Sequence, residues 1–150
     1  MAAEGEAEPT ETLHRAEVVW QGTKEDLRAH EITMAGQTVA ATGMDSKDRD
    51  GAALQAGRAD PEEMFVAALS SCHMLWFVSL ARAERIRVTS YEDEPEGTMD
   101  GTKFTRVVLR PRVEFEGEVA GDVVDRLHHE AHKRCFIANS VSCPVEVQGP

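Results

Sequence analysis

Apolar and polar positions alternate in short runs over the first third of the chain. From Leu13 to Trp20 the period is two, with Ala16, Val18 and Trp20 on one face, and predicts a strand. Gln21 to Asp26 is polar, contains Gly22, and reads as a turn. Arg28 to Met34 predicts a second strand, Ala35-Gly36-Gln37 a tight turn, and Thr38 to Thr42 a returning third strand. Gly43 to Ala59 is a long polar loop, a type that usually covers a site or moves. At Asp60 the pattern changes. Asp60-Pro61-Glu62-Glu63 combines a capping aspartate, a proline suited to the first helical position and acids at the positive end of the helix dipole. The helix should run to about Ala83. Its apolar residues circle the cylinder, which predicts a central helix covered on every side.

Beyond the helix, Ile86 to Tyr91 and Gly97 to Met99 read as one strand interrupted by the acidic stretch Glu92 to Glu96. Thr105 to Phe115 reads as a single long strand in which Pro111 marks an edge or a bulge. Ala120 to Arg134 has helical spacing, with Val123, Val124, Leu127 and Ala131 on one face and Cys135 at or just past its end. Val141 to Val147 closes as a strand. The order predicts an α+β protein built on antiparallel strands around a long helix. Residues 1–12 read as a mobile acidic tail and 13–150 as one domain.

Charge narrows the function. Lys and Arg total 16 against 27 Asp and Glu, a formal net charge of -11. Phosphate neutralisation needs the opposite balance, so no nucleic-acid partner is expected. The N-terminus lacks the basic start and apolar segment of a signal peptide. With only three cysteines, Cys72, Cys135 and Cys143, the chain is no secreted disulfide framework. A cytoplasmic, reducing setting is expected. Met64 to Ala81 is uncharged over 18 residues, at the lower edge of membrane-spanning length. Its serines and His73, and the acids just before it, favour a buried core helix over a membrane span.

Cys72 sits inside the long helix in Ser70-Ser71-Cys72-His73. Most free cysteines are small buried hydrophobes, and burial raises a thiol pKa. A reactive Cys72 needs a cation from elsewhere in the fold, since no Lys or Arg stands within one helical turn. Cys135, beside Lys133 and Arg134, is either a packed cysteine or the thiol that resolves an oxidised Cys72. The two meet only if their helices pack.

Asp60-Pro61-Glu62-Glu63-Met64-Phe65, then Ala67-Ala68 and Ser71-Cys72, resembles the first cysteine motif of the OsmC/Ohr family. Ala131-His132 to Cys135, followed by Asn139, is similar to its second. The resemblance covers the chain from Leu13 onward. It implies an OsmC-like fold, an intertwined homodimer and a thiol peroxidase that reduces organic hydroperoxides without cofactor or metal. Cys72 would be the peroxidatic thiol, passing through a sulfenic acid. Cys135 would resolve it to a disulfide, and a dithiol reductant such as a lipoyl-bearing protein would restore both. Glu62 would be the acid of the site. An arginine would hold the thiolate: Arg28 first, with Arg49 and Arg58 as alternatives. Ten residues of straight helix separate Glu62 from Cys72 by about 15 Å. Either the helix breaks between them or Glu62 serves a neighbouring chain's site. Met64, Phe65, Met74, Trp76 and Phe77 are candidates for apolar walls as well as for plain core.

Two readings compete. Cys72, His128, His132 and Cys135 have the residue types of a tetrahedral zinc site, the last three on one face of a helix. A redox sensor or binding scaffold on the same fold is the other, because His73 beside Cys72 departs from the peroxidase motif. Cys143 matches no motif position and reads as a strand residue.

Overall fold

The computed structural model describes residues 11–20, 27–43 and 57–149. It divides into two compact units, Met1–Asp60 and Pro61–Pro150. The N-terminal tail expected at 1–12 lies outside the described residues up to position 10.

The first unit is an antiparallel meander of β1 (Glu17–Trp20), β2 (His30–Met34) and β3 (Gln37–Ala41), in that order. Val18 stands opposite Ile32, and Ile32 opposite Val39, so apolar positions share one face. The expected turn is present: Ala35 and Gly36 both take positive φ, 50° and 77°. Two such residues in succession make the hairpin turn whose twist matches the flanking strands. One pairing escaped the sequence pattern. Ala59 returns to bridge Ala41 in parallel, its N–H donating to the Ala40 carbonyl at 3.0 Å.

The second unit opens with α1 (Pro61–Ala83), the helix expected. Val66, Leu69, His73, Phe77 and Ala81 form a single buried stripe along it. Val66 and Leu69 pack on Val107 and Leu109, while Phe77 and Ala81 pack on Leu127 and Ala131. One helix thus serves two cores. The expectation of cover on every side is overturned within this chain: Leu75 is 60% exposed and Val78 37%. By length and composition α1 is apolar enough to cross a bilayer, although its buried stripe is packed against sheet and helix.

The strands differ from the simple pattern. The supposed interrupted strand is two strands in different sheets. β4 (Val88–Glu92) pairs with β7 (Arg112–Phe115), and β5 (Glu96–Asp100) with β6 (Lys103–Leu109). The single strand expected from Thr105 to Phe115 likewise breaks between β6 and β7. Pro111 has no N–H to continue a ladder. The N–H of Arg110 is taken by Asp93, at 2.7 Å, and the other Asp93 oxygen accepts the Ser70 hydroxyl of α1. Asp93 therefore ties both strand breaks to the helix. Gly97 of β5 is required by close approach, because a Cβ there would lie 2.6 Å from Phe104 and 2.7 Å from Val66. β8 (Val145–Val147) pairs with β6 in parallel, an exception to the antiparallel expectation. α2 (Gly121–Arg134) matches its expected bounds and packs on α1.

Candidate active site

Cys72 lies midway along α1 and is half-buried. Cys135 caps α2 and is 1% exposed. The packing of the two helices makes these thiols electrostatic neighbours, and the Cys135 Sγ–H points to the Leu69 carbonyl of α1 at 4.0 Å. Burial is the main reason the Cys135 thiol is pushed up to about 11, and the adjoining Cys72 sulfur adds to the effect. Backbone N–H groups pull the other way: that of Ala138 donates to Cys135 Sγ at 3.5 Å, and Ile137 contributes as well. They belong to the turn leading into a short 3-10 segment, Ala138–Ser140. Hydrogen bonds fix that turn. The Asn139 N–H donates to the Cys135 carbonyl at 3.0 Å, and the Asn139 side-chain amide to the Lys133 carbonyl at 3.1 Å. The second sulfur is therefore held in a rigid cradle with donors aimed at it. It stays protonated at neutral pH and has N–H groups ready to stabilise its anion.

A second polar pair crosses the same helix interface. His73 is fully buried, and its Nε2 meets His128 Nδ1 at 3.0 Å. The rings stack at 5.3 Å, and His128 stacks in turn on Phe77 at 4.2 Å. One imidazole must donate and the other accept, so the pair is satisfied only while at least one is neutral. Burial, then the neighbouring His128 and His132, lowers the His73 pKa to about 4. Burial also lowers His128, against the pull of Asp125 and Asp93.

The OsmC-like protein family model matches residues 54–148, more than half of the chain. The chain belongs to the OsmC-like family. This OsmC-like protein is 36% identical to an OsmC-like protein of unknown function from Vibrio cholerae. That structure superposes with a TM-score of 0.79, covering 93% of this chain and 100% of the other. The organic hydroperoxide resistance protein OhrB of Bacillus subtilis shares the fold at 18% identity, with a TM-score of 0.61 over 93% of this chain and 100% of that one. An uncharacterised protein from Methanocaldococcus jannaschii is 22% identical over 130 residues, 86% of this chain and 69% of the other.

Of the site residues expected from sequence, Cys72 and Cys135 are brought to the same helix boundary, near enough for one to raise the other's pKa. Glu62 does not join them: α1 runs unbroken from Pro61 to Ala83, so Glu62 stays about 15 Å from Cys72 along the axis. Arg28 and Arg58 belong to the first unit. The Arg28 carbonyl accepts from His30 Nδ1 at 2.7 Å, and the Arg58 guanidinium donates to the His30 and Ala41 carbonyls at 3.4 and 3.3 Å. Arg49 lies outside the described residues. The zinc alternative fails on geometry. His128 turns its Nδ1 to His73, and among the described residues no three His, Cys, Asp or Glu side chains converge to hold a metal. Phe77 is core, Phe65 is half-buried and stacks on Phe104 against the other core, Met64 is half-buried, and Met74 faces a surface groove beside Tyr91. Cys143 packs beside the β6 core and not within a strand, just ahead of β8. The sequence reading missed the imidazole pair. Its signal was the spacing of His73 within the stripe Val66, Leu69, His73, Phe77.

Proposed function

We propose that this OsmC-like protein is a thiol peroxidase acting on organic hydroperoxides, with Cys72 as nucleophile and Cys135 as resolving thiol. The observation that carries the reading is the packing of α2 on α1, which seats Cys135 against the Leu69 carbonyl of the helix that bears Cys72 and makes the two thiols electrostatic neighbours. The Cys72 thiolate attacks the terminal peroxide oxygen. The O–O bond breaks, the alkoxide takes a proton and leaves as alcohol, and Cys72 holds a sulfenic acid. The Cys135 thiolate then attacks that sulfur, hydroxide leaves as water, and a disulfide remains. The electrostatics suit this order. A Cys72 anion helps keep the proton on Cys135, whereas a neutral sulfenic acid does not, so Cys135 becomes easier to ionise once it is needed. The Ala138 N–H then supports its anion. A dithiol, of the lipoyl type, returns both sulfurs to thiols. The substrate class is supported by the family's organic hydroperoxide resistance proteins, which share the fold.

The thiolate needs a cation, and our first choice is Arg28. Glu62 acts in this scheme at the site of a second copy, since an unbroken α1 keeps it from its own Cys72. A homodimer is consistent with the exposed apolar back of α1, where Leu75 and Val78 lie open. Intact mass after one equivalent of cumene hydroperoxide tests the chemistry. The wild type should lose two hydrogens, and Cys135→Ser should retain an added oxygen. An unchanged mass in both refutes the reading.

A further inference from the structure

We propose that a groove at the C-terminal end of α1, away from the thiols, binds a single-chain amphiphile with an anionic head. Val78, Arg82, Arg85, Ile86, Arg87 and Val88 line it, and its volume of about 340 Å³ is at the small end of ligand sites. Val78 and Arg82 come from the last turns of α1, and the other four from the chain that leads into β4. Ile86 and Val88 also pack on the Phe77–Leu127 core, so the apolar floor is fixed. Three guanidiniums stand around that floor. Arg82 is ten residues from Cys72, about 15 Å along the helix, and the site does not depend on the reading of the thiol pair.

The way α1 ends shows an arginine where the backbone favours glycine. The Ile86 N–H donates to the Ala81 carbonyl at 2.9 Å, and the Arg85 N–H to the Arg82 carbonyl at 3.0 Å. That pair of bonds ends a helix on one left-handed residue, usually a glycine. Arg85 fills the place with φ 60°, at a steric cost that glycine does not carry. A cation in the last turn complements the helix dipole, which accounts for Arg82. The dipole does not require a second cation in the strained position.

The charges are not neutralised from within the chain. Although 27 acids face 16 bases, neither Arg82 nor Arg85 has an ion pair among the described residues. Glu84, between them in sequence, is held by Arg126 through hydrogen bonds of 2.6 and 2.7 Å, and Glu116 is taken by Arg87 at 3.3 Å. Two full positive charges outweigh the roughly half negative charge of the helix end. An exposed ion pair is worth little in water, so a compact anion gains little here. An alkyl chain on Val78, Ile86 and Val88 supplies the rest, while a carboxylate head takes paired hydrogen bonds from a guanidinium.

Calorimetric titration of the full chain, in the oligomer it forms in solution, tests the site, since Val78 is also part of the apolar back of α1. Decanoate should bind with a dissociation constant on the order of 100 μM. Decanol has the tail without the charge and should bind about 10-fold more weakly. Arg82→Gln/Arg85→Gln should weaken decanoate binding by about 10-fold. Arg85→Gly gives the helix end the residue its backbone favours, so its denaturant midpoint should not fall, yet its affinity should drop about 3-fold. No saturable binding of decanoate below about 1 mM overturns the proposal. So does decanol binding as tightly as decanoate, or wild-type affinity in either arginine variant.

Discussion

Two polar pairs bridge the same helices, and they are made from consecutive residues of α1. Cys72 neighbours Cys135, and His73 meets His128. The thiol pair is half open: Cys72 is reachable and Cys135 sits under a cradle of N–H groups. The imidazole pair is closed, walled by Phe77 and with His73 fully buried. The same interface thus holds one pair where reagents can enter and another where only packing can act. Access and protonation separate chemistry from structure here, more than residue type does. Both pairs consist of groups that serve catalysis elsewhere.

The largest test of this contrast is acid. His73 is held near 4 in the folded protein against an ordinary 6.5, so the unfolded chain binds its proton first. Stability is then full above about pH 6.5 and is lost as pH falls toward 4, by about 3 kcal/mol from His73. His128 shifts in the same direction. Denaturant titrations at pH 7 and pH 4 measure the loss. Subtracting the same pair of titrations for His73→Leu/His128→Leu isolates the imidazoles from the many carboxylates. Equal losses in the two proteins would show that the pair carries no acid sensitivity.

The next effect separates pairing from burial. His128→Leu alone leaves His73 buried with no partner and should cost about 2 kcal/mol, while the double Leu variant should recover much of it. Peroxide-driven disulfide formation should persist in both. If the double variant is no more stable than the single, the hydrogen bond is not what the interface gains from His73. The smallest effect concerns the clip that seats α1. Asp93→Asn keeps one acceptor for the Ser70 hydroxyl or the Arg110 N–H but not both, and should cost about 1 kcal/mol. Losing its charge also removes one influence that holds the His128 proton on, so His128 should titrate lower still by NMR.

How much of this was legible in the sequence depends on how local each cause is. α1 was readable to both ends, because Asp60-Pro61 and the apolar run act within a few residues. α2 followed from its period. The splitting of the strands did not follow, since it depends on Asp93 reaching Arg110 and Ser70 across the fold. Pro111 was visible, but its consequence is a break between sheets and not an edge. The cover of α1 was overestimated for a related reason: all-round apolarity says that a surface needs a partner, not that its own chain supplies it. The nearness of the thiols was suggested by resemblance alone, because the two cysteines stand 63 residues apart. The imidazole pair required coordinates. A buried histidine and a solvated one look alike until the opposite helix is in place.

The parallel pairing of β8 with β6 has a consequence for how the molecule is made. Antiparallel neighbours can zip from a hairpin, but this pairing waits for residues 110–144 to be laid down between the two strands. That enclosed stretch carries α2 and Cys135. On the ribosome, β5 and β6 can form early, whereas the loop holding the second sulfur is clasped at both ends only after Val145–Val147 has emerged.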